Sequence, residues 1–136
     1  MSRTLRLAAL LLFLCGAGCT KDEDYLEVYR AQRENYRELT DILATIQDEK
    51  SMTDAKSKLD ERAKKFNEIA RKASALPKPP PESVRNRMAD DAFTMERTLD
   101  RLRQQIKRVR EDIKGGDEFL KQFESTSPGL LSAVKK

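Results

Sequence analysis

Seam positions from Tyr25 onward recur at alternating steps of four and three residues: Tyr25, Tyr29, Gln32, Tyr36, Leu39, Leu43 and Ile46. That spacing returns side chains to one face of an α-helix, and Val28 and Ile42 widen the stripe. The stretch QDEKSMTD, residues 47–54, interrupts the pattern. Ser51 with Asp54 three positions on has the form of a capping pair, which predicts a second helix starting near Ser51. Its seam runs through Met52, Ala55, Leu59, Arg62, Phe66, Ile69, Ala73 and Leu76, with Ala63 and Ala70 alongside. The run PKPPP, residues 77–81, ends it, because proline lacks an amide donor and disfavours helix in the residue before it.

A third helix is predicted from Pro81 or Glu82 to Lys114, with Met88, Ala92, Met95, Leu99, Leu102, Ile106, Val109 and Ile113 on its seam. Gly115 and Gly116 stop it, as glycine after a last turn commonly does. A short piece over 117–123 offers Phe119, Leu120 and Phe123 to cover one end. The expected fold is therefore all-α: an antiparallel three-helix bundle with a short C-terminal helix. The bundle domain is expected over 25–123, followed by a flexible tail over 124–136.

Upstream, residues 1–18 have the make-up of a secretory signal. Arg3 and Arg6 form a positive n-region, residues 7–14 an apolar stretch, and residues 15–18 are small or weakly polar. The uncharged run over 7–20 falls short of the roughly 20 apolar residues that cross a bilayer. Gly16-Ala17-Gly18-Cys19 resembles the lipobox of bacterial lipoprotein precursors, with Gly16 where that motif usually carries Leu. The resemblance implies cleavage before Cys19, lipid attachment on its sulfur, and a short tether over 19–24. It places the protein outside the cytoplasm, anchored to a membrane. Thr20 rather than Asp after the cysteine fits export to the outer membrane under the sorting rule best known in enteric bacteria. Plain secretion after Ala17 or Gly18 is the alternative. Either cut removes Cys15, so neither a disulfide framework nor a zinc site built on cysteines is expected.

Composition sharpens this picture. Charged residues make up 37% and apolar ones 38%, with no Trp, a balance that suits long helices. The formal charge of +4 falls to +2 once Arg3 and Arg6 are removed with the signal, leaving 25 Lys and Arg against 23 Asp and Glu. That balance, together with the export signal, disfavours a nucleic-acid partner. There is no His, and cleavage with lipidation of Cys19 leaves no free thiol, so the common nucleophile–base pairs are missing. No catalytic residues, cofactor or metal are expected.

Three charge patterns are candidates for more than solubility. Asp22, Glu23 and Asp24 are adjacent and so point in different directions on a helix, where a first-turn dipole role suffices. Glu27, Arg30, Glu34, Arg37 and Asp41 form a ladder of alternating sign, each pair worth about 0.2–0.5 kcal/mol. The row Arg103, Lys107, Arg110 and Lys114 lies in a stretch, 101–114, with six bases against two acids. Its functional reading is contact with an anionic lipid, lipopolysaccharide or cell-wall polymer. Its plain reading is a basic helix C-terminus balanced by residues 21–50, which carry nine acids against five bases. Pro79, Pro80 and Pro81 read as a rigid connector exposed at the bundle end, with polyproline recognition as the alternative.

These features predict a small non-enzymatic, membrane-tethered helical lipoprotein, an envelope-associated binding or accessory module with an envelope protein, anionic lipid or wall polymer as partner. One alternative is a self-associating coiled coil that reinforces the envelope. The terminal AVKK resembles the small helical lipoproteins joined to peptidoglycan through a last lysine, but length, the proline loop and the Ser/Pro/Gly tail depart from that group. Another alternative is a secreted helical domain without lipid.

Overall fold

The acidic opening does what first-turn carboxylates do. In the computed structural model, which describes residues 21–134, the Lys21 amide donates to Asp24 Oδ2 at 3.0 Å, and Asp22, Glu23 and Asp24 make the first turn of α1 (Asp22–Ala44). There follow α2 (Glu49–Ala75), α3 (Glu82–Asp90), α4 (Ala92–Asp112), α5 (Gly116–Thr126) and a single 3-10 turn over Ser132–Val134. No strand occurs among the described residues. The all-α bundle expected from the seams is the fold.

Helix α2 starts two residues earlier than expected. Its cap is Asp48, whose Oδ1 accepts from the Ser51 amide at 2.8 Å, while Ser51 Oγ accepts from the Asp48 amide at 2.9 Å. Ser51 is thus the inner member of the reciprocal pair, where the sequence pattern placed it as the outer one. The helix ends at Ala75, and Leu76 is extended (ψ 139°) ahead of Pro77.

The expected third helix is two helices. Asp91 sits at φ −97°, ψ −1°, a turn conformation, and its carboxylate is held by Arg33 of α1. The break separates α3, which lies against the first half of α1, from α4, which follows the second half. Seam burial on α4 is correspondingly partial. Leu102, Ile106 and Val109 are buried, Met95 and Leu99 are half-buried, and Ala92 is exposed.

The glycine pair is required by geometry at both positions. Gly115 takes φ 78°, a conformation side chains rarely adopt. A Cβ on Gly116 would lie 1.8 Å from the Val109 carbonyl oxygen. This tight turn brings α5 back along α4.

The described part of the expected flexible tail, residues 124–134, packs onto the bundle. Helix α5 continues to Thr126, and Leu130, Leu131 and Val134 are buried beyond it. Arg103 Nε donates to the Val134 carbonyl at 2.8 Å, fixing the end of the described chain to α4. The physical reason is area: an 11-residue α5 leaves part of the core open, and these apolar residues close it.

Helix α1 packs closely against both α2 and α4, while α2 and α4 have no close backbone approach and meet only through side chains of the shared core. Helix α5 touches both and fills the remaining side. The main core, including Leu39, Leu43, Leu59, Leu102, Val109 and Leu120, lies inside this arrangement. Phe66 is half-buried at its edge, its ring 6.5 Å from that of Tyr36. A second, smaller cluster of Tyr25, Leu26 and Val84 joins the start of α1 to α3, with Leu76 and Met88 packed against it. Among the described residues, no helix is long and apolar enough to cross a membrane.

Candidate functional site

Two surface depressions organise the chemistry that the sequence singles out. The first runs along α4. Arg103, Lys107 and Arg110 recur on one face of that helix, and the packed tail supplies the opposite wall with Leu131 and Val134. Ile106 completes an apolar floor in a shallow groove of about 240 Å³.

The four bases of the row do not act alike there. The Arg103 guanidinium holds the Val134 carbonyl through Nε, and Nη1 reaches Asp100 at 2.6 Å and Glu96 at 3.1 Å. Its Nε and Nη1 are committed to the fold. Lys107 is exposed, 3.9 Å from Glu111 on the next turn. Arg110 lies 3.3 Å from Asp117 of α5. Lys121, 2.7 Å away, holds the Asp117 carboxyl below its usual range, and Arg110 adds to the effect. Lys114 lies beyond the end of α4, outside the groove lining, in the turn before Gly115. The structure therefore brings three of the four bases together and leaves Lys107 and Arg110 as the accessible cations.

The charge ladder on α1 is redistributed. Glu34 and Arg37 pair as expected, but Arg30 turns to Glu23 at 2.6 Å and Glu27 lies 3.8 Å from Lys72 of α2. Asp22 accepts a hydrogen bond from the Ser83 hydroxyl. The acidic opening is thus a helix start braced against α3. Among the described residues, no group of three or more His, Cys, Asp or Glu side chains is placed to hold a metal ion.

The second depression is a groove of about 370 Å³ where the start of α1, the proline loop and α3 meet. Tyr25, Val28 and Tyr29 form one wall, Leu76 and Pro77 another, and Met88 the third. The Tyr25 hydroxyl donates to the Pro77 carbonyl at 2.7 Å, which ties the loop down over α1. Pro79 is exposed and Pro80 half-buried in this lining, while Pro81 is exposed outside it. The tyrosines are legible in the sequence as seam residues. Their meeting with the loop is a tertiary fact with no local signal.

Among the described residues, Phe93 is the large apolar side chain left exposed, at 73%, with the Arg97 guanidinium 5.7 Å from its ring centre. Cys19 lies outside the described residues. The chain matches no family model, no curated protein and no solved structure.

Proposed function

We propose that the chain is a non-enzymatic helical lipoprotein of the bacterial envelope, held to a membrane through Cys19 and serving as a binding or accessory module. The observation that carries this reading is the junction itself. An apolar stretch ends at Gly16-Ala17-Gly18-Cys19, and ordered helix begins three residues later at Asp22. A lipid on Cys19 would hold the start of α1, with the proline loop beside it, close to the bilayer. The seams of α1, α2 and α4 meet inside one chain, which favours a self-contained bundle over a coiled coil that must associate to bury them. Lys107 and Arg110, exposed beside an apolar floor, support a secondary contact with anionic headgroups.

Fractionation in a bacterial host tests the anchor. The native chain is expected in the membrane fraction and to stay there through a high-salt wash, since buried methylenes contribute about 0.8 kcal/mol each and are not screened. Cys19→Ala is expected in the soluble fraction or as unprocessed precursor. A Cys19→Ala protein that is processed and membrane-bound like the native one overturns the reading.

A further inference from the structure

The groove at the proline loop is built for one kind of occupant. Its walls are apolar, and their polar atoms are mostly committed. The Tyr25 hydroxyl is spent on Pro77, and Gln32 Nε2 donates to the Tyr36 hydroxyl at 3.0 Å. A bound peptide strand would need backbone partners, and these walls offer few. Two groups stay free. The Tyr29 hydroxyl has no hydrogen-bond partner among the described residues, and burial, with the Asp91 carboxylate adding, pushes its phenol up. Lys78 is the one charged residue in the lining, and it has no ion-pair partner among the described residues.

We propose that this groove binds a single long alkyl chain ending in a carboxylate, that is, a free fatty acid, with the chain along Tyr25, Leu76 and Met88 and the head at Lys78. A volume of about 370 Å³ lies in the ordinary range of small-molecule sites. Charge complementarity selects the source of the alkyl chain. A diacylglycerol on Cys19 is neutral and would leave Lys78 unanswered, whereas a fatty-acid carboxylate supplies the missing counter-charge. The inference is thus independent of the lipid anchor. Both apolar clusters lie within residues 21–134, so a chain starting at Thr20 keeps the whole fold and carries no lipid of its own.

Calorimetric titration of that chain with octanoate, decanoate and dodecanoate, below their micellar concentrations, tests the assignment. Affinity is expected to rise about fourfold per methylene until the groove is full. Dodecanoate is expected to bind about fivefold more tightly than dodecanol, and dodecyltrimethylammonium more weakly than either. Lys78 is exposed, so Lys78→Glu should fold normally and lose the preference for the carboxylate. Ala73 also lines the groove, so Ala73→Phe fills it and should abolish binding of all three, with circular dichroism confirming the fold. Amide shifts in a nuclear magnetic resonance titration should centre on Tyr29 and Met88. No binding, equal affinity for the three head groups, an unchanged preference in Lys78→Glu, or shifts centred on Lys107 in the other groove overturns the proposal.

Discussion

Arg108 on α4 closes the C-terminal end of α1, donating from Nη2 to the Leu43 carbonyl at 2.7 Å and from Nη1 to the Ile46 carbonyl at 2.8 Å. The last carbonyls of a helix have no donor within it, and α1 has no basic residue in its own last turn. Arg108 reaches from another helix to Leu43 in the last turn and to Ile46 just past the helix end. The Leu43 carbonyl also accepts from the Ile46 amide at 3.1 Å, and Arg108 Nε donates to Gln105 at 2.9 Å. One side chain thereby fixes the register between α1 and α4.

Arg108→Ala is expected to destabilise the fold by about 2–3 kcal/mol, since bonds to a charged donor contribute about 1.5–3 kcal/mol each and this side chain is partly exposed. Arg108→Lys should recover less than half of that, because an ammonium cannot fork to two carbonyls. Urea unfolding measures both. A midpoint unchanged in Arg108→Ala contradicts the role.

The cap of α2 makes a pH prediction. Bonds from the Ser51 amide and hydroxyl hold the Asp48 carboxyl below its ordinary value of 3.8. A carboxyl depressed in the folded state contributes stability that is complete above its unfolded value and lost as pH falls through the folded one. Stability should therefore fall below about pH 4. Asp48→Asn keeps an oxygen for the Ser51 amide but takes up no proton there, so its melting temperature should fall less steeply across that range. Asp117 shifts in the same direction in both proteins and cancels in the comparison. Identical acid slopes would exclude Asp48 as a contributor.

Asn35 is 2% exposed between α1 and α2. Its Nδ2 donates to the Arg62 carbonyl at 3.2 Å, but Oδ1 has no hydrogen-bond partner among the described residues. A buried acceptor left unmade costs about 1–3 kcal/mol. Asn35→Leu, which keeps the branched shape with bulkier ends, is expected to raise stability by about 1 kcal/mol in thermal or urea unfolding. A loss of that size would show that the amide is needed to hold α1 against α2.

Local periodicity made α1 and α2 legible, along with the second half of α4, because each buries one continuous stripe. What the sequence obscured depends on partners far along the chain. The Asp91 break answers to Arg33, 58 residues away, and the Arg108 clamp to Leu43, 65 residues away. Ser51 and Asp48 were both visible, but a reciprocal cap looks alike when read one turn late. Leu130, Leu131 and Val134 follow a Pro-Gly turn and show no helical period, so their place in the core had no pattern to announce it. Of the basic row, Arg103, Lys107 and Arg110 share a face of α4 as their spacing predicts and Lys114 lies past the helix end, while the commitment of Arg103 to the tail appears only in three dimensions.

That division within the row is testable. Charge reversal of Lys107 and Arg110 together should weaken binding of the chain from Thr20 to anionic vesicles, with little effect at high salt, where screening is already strong. Arg103→Ala should instead speed amide hydrogen exchange over residues 127–134 by freeing the Val134 carbonyl. Equal binding of the native chain to neutral and anionic vesicles would assign Lys107 and Arg110 to solubility alone.

The anchor at Cys19 is the central claim, and the intact mass of the protein purified from its native membrane tests it most directly. The account predicts a chain that has lost residues 1–18 and carries added lipid mass, assigned to Cys19 by fragmentation. A mature chain beginning at Gly18 or Cys19 with no added mass contradicts it, and the protein is then secreted rather than tethered.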